Sequence, residues 1–413
     1  MPTLSDKLKS LGVKIGADEI KASPPTLYYP IERVAPGRLI DSRSGPAYVV
    51  EQIYRLDEQP WLNPVQPGIA LQRLAAWSGE SEVSRLAGDG VVFLDTETSG
   101  LAGGTGTFVF MVGVGRFEAD GYHLLQYFMR DPTEEAALLL AVEEILASAQ
   151  TVVTFNGKSF DIPILNTRYI LQGWQSPFSG LAHVDLLHLA RRLWRQRLPS
   201  RTLGNLEVAI LGIHRTEEEV PGWMVPQIYF DYLRTGDARP MKNVFYHNAV
   251  DVLSLASLLA HVTWLLQNPL LHAQNESLDQ SSLGRLFEDL GDVALACQLY
   301  QASLEHDMPE DPYWETLRRL SFLHKRQGEY TQAIQLWEKA AQQHHIYAHT
   351  ELAKVYEHFF NDLETALHWT LAALDIIQSP SFPVYERQTW QPDLEHRRER
   401  LFKKIRLSSE NKV

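Results

Sequence analysis

Four carboxylates stand out by their company. Asp95 and Glu97 close the run VVFLDTE, Asp161 lies in SFDIP and Asp251 in AVDVL, settings too apolar for casual surface acids. In an extended segment residues two apart share a face, so Asp95 and Glu97 project from one spot at the strand's end. Adjacent carboxylates there repel one another and lose hydration, a cost that a cation between them removes. Oxygen-rich acidic sites suit Mg²⁺ or Mn²⁺. Four such side chains match the needs of two divalent ions, which at about 3.5–4 Å apart can clamp the attacking and leaving oxygens of a phosphodiester. Asp95 and Glu97 alone could equally end a strand in an acidic turn; the later acids decide against that.

Separate elements must carry these acids to one place. Val91–Leu94 reads as a buried strand, followed by a glycine-rich turn and strands at Phe108–Phe117 and Tyr122–Met129, spaced for antiparallel hairpins. Thr133 is placed to cap a helix with Glu134 and Glu135 in its first turn and apolar residues to Leu146. Thr151–Phe155 reads as a fourth strand, parallel to the first. Three antiparallel strands, a helix and a further strand make the ribonuclease H-like order. Asp161 opens an amphipathic helix through Leu171, and a last helix from about Met241 to Leu266 carries Asp251. Asp185 is a spare acid, suited to an N-cap or to an outer carboxylate. Pro221–Asp237 reads as a surface excursion. The turn GLAGGTGT lacks the lysine and spacing of a phosphate-binding loop and reads as a flexible hairpin loop.

Residues 1–89 are punctuated by SPP, YYP, APG and QPG and read as a leader packed on this domain, with a strand near Ala47–Leu56 and a helix near Ile69–Leu86. Between Asp185 and Glu207 there is no acid, but Arg191, Arg192, Arg195, Arg197 and Arg201 surround Trp194. Arginines interleaved with an aromatic suit phosphate and base contacts, and a solvated helix face is the plainer alternative.

At 413 residues the chain has room for two or three domains, and 45% hydrophobic with 22% charged residues is ordinary for a globular protein. The net charge of −13 argues against a protein that coats nucleic acid non-specifically, though not against one that grips a few phosphates. Cys297 is the lone cysteine, which excludes an internal disulfide or a several-cysteine zinc site and suits the cytoplasm. The opening MPTLSDKLKSLGVKIG has no apolar core of signal-peptide length. The run Val252–Leu266 is short for a membrane span and carries Ser254, Ser257, His261 and Thr263, so no membrane partner is expected.

DTET at Asp95–Thr98, the Asn-x-x-x-Phe-Asp spacing of Asn156–Asp161 and the helix bearing Asp251 resemble the three motifs of the DEDD superfamily, metal-dependent 3′–5′ exonucleases on a ribonuclease H-like fold. More narrowly, HNAVDVLSL and PGW…PQIYFDYLRTGD look like the bacterial YprB-type ribonuclease H-like proteins. The resemblance covers about residues 90–265. It implies that Asp95, Glu97, Asp161 and Asp251 hold two Mg²⁺ or Mn²⁺ ions; Asn156 and, from the basic stretch, Arg191, Arg192 and Arg195 are the expected contacts for single-stranded DNA or RNA. In one respect the chain departs. The superfamily has His five residues before the last Asp or Tyr four before it, whereas here Tyr246 is five before and His247 four. At about 100° per residue His247 lies about 40° round the helix from Asp251 and Tyr246 about 140°. His247 is therefore expected to orient or deprotonate the water, and Tyr246 to pack in the core.

From Ser277 the texture turns helical and repetitive. LGRLFEDLGDVALACQLY and LSFLHKRQGEYTQAIQLW align Leu283 with Leu320, Gly291 with Gly328, Ala296 with Ala333 and Tyr300 with Trp337; a third copy has Asn361-Asp362 in the turn. These resemble tetratricopeptide repeats. The expected architecture is thus a leader (1–89), an α/β ribonuclease H-like exonuclease domain (90–270) and an all-α tetratricopeptide-like domain (277–413) ending in a basic helix. The expected activity is metal-dependent phosphodiester hydrolysis. The rival is a catalytically inactive nucleic-acid-binding or scaffold protein whose repeats recruit a protein partner.

Overall fold

Strand formation here follows the apolar runs. The computed structural model describes residues 28–59, 61–85, 90–100, 106–216, 218–272 and 276–410. They form a seven-stranded sheet of β1 (Arg38–Ser42), β2 (Gly45–Tyr54), β3 (Val91–Thr98), β4 (Val109–Glu118), β5 (Gly121–Phe128), β6 (Thr151–Thr154) and β7 (Ala182–Asp185). Their order is β1-β2-β5-β4-β3-β6-β7. β3 pairs antiparallel with β4 and parallel with β6, and β7 continues the parallel side. Burial on both faces explains why β3 shows no hydrophobic alternation.

Among the described residues the helices, in order, begin with α1 (Ile69–Ser78), α2 (Glu135–Leu146), α3 (Asp161–Leu171), α4 (Leu186–Trp194), α5 (Leu203–Leu206), α6 (Val225–Thr235) and α7 (Met241–Gln267). They continue with α8 (Pro269–His272), α9 (Ser277–Asp289), α10 (Val293–Leu304), α11 (Glu310–Gln327), α12 (Tyr330–Gln342), α13 (Ile346–His358), α14 (Leu363–Gln378) and α15 (Val384–Glu410). The chain divides into two compact units: residues up to Leu187 with Thr202–Thr263, and His188–Arg201 with the chain from Trp264.

Several elements differ from the sequence reading. Residues 38–54 are not only a leader, because β1 and β2 extend the sheet through β5. Asp131, rather than Thr133, caps the turn before α2, accepting the Thr133 amide at 2.9 Å. Pro221–Asp237 is no surface excursion: it folds into α6, whose Tyr229 is fully buried and stacks on Phe110 at 3.9 Å. α7, by contrast, matches the helix expected from about Met241 to Leu266. It is long and apolar enough to cross a membrane by length and composition, yet 67% of its most apolar window is buried in the protein. Most of the glycine-rich turn, residues 101–105, lies outside the described residues, as do residues 1–27 of the leader.

Residues 188–201 group with the C-terminal helices. Trp194 is buried, Arg192 pairs with Asp289 and bonds the Arg285 carbonyl, and Arg197 grips Asp279 at 2.9 Å. In the same unit α9 to α14 form successive helical hairpins. Gly291, Gly328 and Asn361 occupy their turns with φ of +81°, +79° and +54°, a left-handed geometry that glycine and asparagine tolerate best. Leu283, Leu320, Ala296, Ala333, Tyr300 and Trp337 are all buried between the helices.

Candidate active site

The site begins where β3 loses its regular register. Pairing with β4 shifts between Glu97 and Thr98, a local irregularity of the kind that re-aims side chains at functional sites. Asp95 lies in a cross-strand row with Gly113 and Gln126. A Cβ at Gly113 would run into Asn248 and Val252 of α7, so the glycine lets that helix sit directly on the sheet. Through the space so left, Asn248 Nδ2 donates to Asp95 Oδ2 at 2.9 Å and Gln126 Nε2 donates to Asn248 Oδ1 at 3.0 Å.

Asp161 is placed by a different device. Asn156 adopts a left-handed φ of +66°, and its carbonyl accepts the Ser159 and Phe160 amides, a turn that delivers Asp161 as the first residue of α3. Asp185 holds that turn: its carboxylate accepts the amides of Asn156 at 2.8 Å, Lys158 at 3.1 Å and Leu187 at 3.0 Å. Its oxygens serve backbone amides, as an N-cap does. Thr96 then donates its hydroxyl to Asp161 Oδ1 at 2.5 Å.

α7 supplies the remaining groups. His247 Nε2 lies 3.5 Å from Asp251 Oδ2, one helical turn away, and its Nδ1 lies 2.7 Å from Glu219 Oε1. Tyr246 points elsewhere and is half-buried rather than core; its hydroxyl accepts the Thr216 amide at 2.8 Å, because a phenol oxygen near the surface finds a partner.

These acids share one field. Burial pushes Asp95 well above the usual carboxylate range, reinforced by the charges of Asp251, Asp161 and Glu97 and opposed by the Asn248 hydrogen bond. Burial does the same to Glu97, with Asp251, Asp161 and Glu219 adding and Arg215 opposing. Asp161 is pushed up to about 6 by burial, against the Thr96 hydrogen bond. Asp251 is raised by burial and drawn back by His247 and Arg215. The structure thus brings together Asp95, Glu97, Asp161, His247 and Asp251 from β3, α3 and α7. The exposed Asn156 borders them, in the turn that opens α3. Arg191 and Arg195 are exposed on the second unit, where Arg192 is occupied by Asp289.

A divalent cation fits this chemistry. Glu97 Oε1 is buried without a hydrogen-bond partner in the protein, an oxygen that a cation, a proton or a water would satisfy. Hard oxygen donors of this kind suit Mg²⁺ or Mn²⁺. Elsewhere in this unit, Glu118, Asp120 and His123 place donor atoms within 4.8 Å of one another on the β4–β5 hairpin. Arg116 and Glu51 already pair with that group, at 2.6 Å to Glu118 and 3.1 Å to His123.

Sequence reasoning missed Arg215, Glu207 and Glu219. Glu207 is fully buried in the short π-helical stretch Glu207–Leu211, and Arg215 bonds it twice at 2.6 Å. Arg215 also reaches Glu219 at 2.8 Å and donates to Asp251. The only hint lay in HRTEEEV, an arginine four residues before a glutamate, which reads as a solvated helix pair. Asn248 was visible beside His247 but carried no signal until the Gly113 row was seen.

The profile of the RNase_H superfamily matches residues 92–263, the span that holds β3 through most of α7. The chain is 33% identical over 281 residues to the uncharacterized protein YprB of Bacillus subtilis (strain 168), covering 67% of each sequence. It is also similar to the family B DNA polymerase of the hyperthermophilic archaeon Pyrobaculum calidifontis, at 19% identity over 51% of this chain and 28% of that one. The TM-score there is 0.35.

Proposed function

This chain belongs to the ribonuclease H superfamily, alongside YprB of Bacillus subtilis, and on that premise we propose that it is a metal-dependent nuclease shortening single-stranded DNA or RNA from the 3′ end. The observation that carries the reading is the set of buried carboxylates Asp95, Glu97, Asp161 and Asp251, each raised above its ordinary range by burial. Those residues would hold Mg²⁺ or Mn²⁺. Bound there, a divalent ion supplies charge to stabilise a phosphodiester under attack and makes water more acidic.

The chain's own groups prepare that chemistry. Asn248 fixes the Asp95 carboxylate and Thr96 that of Asp161, so neither must reorganise. Glu219 takes the Nδ1 side of His247, closer at 2.7 Å than Arg215 at 3.3 Å, which leaves the Nε2 lone pair to accept a proton from water. Asn156, Arg191 and Arg195 are proposed contacts for the nucleic acid, and the helical unit a tetratricopeptide-like site for a protein partner. A cytoplasmic setting belongs to the same proposal.

One observation favours the rival, non-catalytic reading: Asp251 already has a cation in Arg215. A time course with 5′-labelled single-stranded DNA and RNA in Mn²⁺, beside Asp95→Asn, separates the two. A metal-dependent ladder shortening from the 3′ end, absent in the variant, is expected. Binding without cleavage of any substrate supports the scaffold.

A further inference from the structure

Arg215 brings a permanent positive charge into the acid cluster. Its fork grips the fully buried Glu207 through two hydrogen bonds of 2.6 Å, reaches Glu219 at 2.8 Å, and turns the other Nη2 donor on Asp251 Oδ1. A bidentate carboxylate fixes the plane of a guanidinium, so this is an anchored cation rather than a wandering one.

The four acids are therefore not equivalent. Asp95 is met by the Asn248 amide and Asp161 by the Thr96 hydroxyl, both neutral donors, and Glu97 Oε1 by nothing. Among the described residues, no lysine or arginine hydrogen-bonds these three, whereas Asp251 has Arg215 and, one turn away, His247. A carboxylate already paired with a guanidinium gains less from a metal ion, and a second cation on it is repelled by the first.

Resting on the nuclease reading, we propose that Arg215 stands in for a second metal ion. The protein binds one divalent cation, through Asp95, Glu97 and Asp161, and the Arg215 guanidinium supplies the other positive charge at Asp251. This departs from the ion pair that the motif resemblance implies. It also gives Glu207 and Glu219 a purpose, since they hold the guanidinium where that second charge is needed.

The test is a count of bound metal. Mn²⁺ is titrated into the full-length, metal-stripped protein, and free ion is read from its electron paramagnetic resonance signal. The wild type is expected to take up one Mn²⁺ per chain. Arg215→Gln alone would leave Glu207 buried and unpaired, so the comparison is the double variant Glu207→Gln/Arg215→Gln, which keeps neutral hydrogen-bonding groups in both places. Its fold is checked by circular dichroism, and it is expected to take up two Mn²⁺. Two ions on the wild type, or one on both proteins, overturns the inference and leaves the nuclease reading standing. No ion on either protein overturns both.

Discussion

Asn248 reaches Asp95 only because Gly113 stands between them with no side chain. The amide donates to Asp95 Oδ2 at 2.9 Å and is itself oriented by Gln126. Three strands and one helix thus settle the position of a single carboxylate.

Asn248→Leu should lower Mn²⁺ affinity about 10–100-fold, the usual effect of removing a group that orients a ligand. Gly113→Ala should do likewise while also destabilising the fold by about 1–3 kcal/mol, because the new methyl displaces Asn248 and Val252. Mn²⁺ titration and urea unfolding of the two variants check both effects. Undiminished affinity in both would remove Asn248 from the site.

Metal-free stability should depend on pH with an unusual sign. Asp161 rises from 3.8 to about 6 on folding, so the folded state keeps a proton that the unfolded state gives up. Its contribution is present below the unfolded pKa and is lost as pH rises through about 6, a loss of about 3 kcal/mol for a shift of this size. His183 acts in the opposite sense. Burial lowers it from 6.5 to about 4, so its contribution is lost as pH falls between those values. The informative quantity is the difference between wild type and Asp161→Asn: in EDTA the variant should gain on the wild type from pH 5 to pH 8.

Asp95→Asn should reverse its rank with metal. At pH 8 in EDTA it is expected to melt above the wild type, because a neutral amide escapes the cost that burial and the neighbouring acids place on an ionised carboxylate at this position. With Mn²⁺ at about 100 times its Kd, the wild type gains about 2.7 kcal/mol and the variant does not. Thermal melts in the two buffers test this; parallel shifts in both proteins would place the metal elsewhere.

In the helical unit, Glu357 is fully buried on α13 and takes Arg397 at 2.8 Å, Arg400 at 2.6 Å and Lys404 at 2.9 Å from α15. Glu357→Gln should cost about 3 kcal/mol, the lower end for breaking a buried pair because Arg400 and Lys404 are partly hydrated. Hydrogen exchange should show α15 losing protection first.

The sequence made β3 to β5, α2 and α7 legible because each is long and strongly patterned. β1 (RLIDS) and β7 (AHVD) carry charged and polar residues in place of an apolar run, unlike the equally short β6 (TVVT), and so gave no strand signal. α6 was hidden by Pro226 near its start, which resembled a loop signal but sits in the first turn, where proline is tolerated. The Asp95, Glu97, Asp161 and Asp251 set was visible because acids in apolar company are rare. Arg215 was not, because its pairing with Glu207 and Asp251 exists only in space. The arginine-rich stretch was legible only as a charge run, which gave no sign that Trp194 would be buried and Arg192 and Arg197 engaged by Asp289 and Asp279.

Asp95, Gly113 and Gln126 fall in one row only in the native alignment of β3, β4 and β5. A slip of β4 by one residue would put Val112 or Val114 beneath Asn248 and turn its face over. The amide could then no longer bridge, and Asp95 would lose its tether. Metal capture is thereby conditional on faithful strand assembly, so a misthreaded chain would be disarmed from the moment it forms.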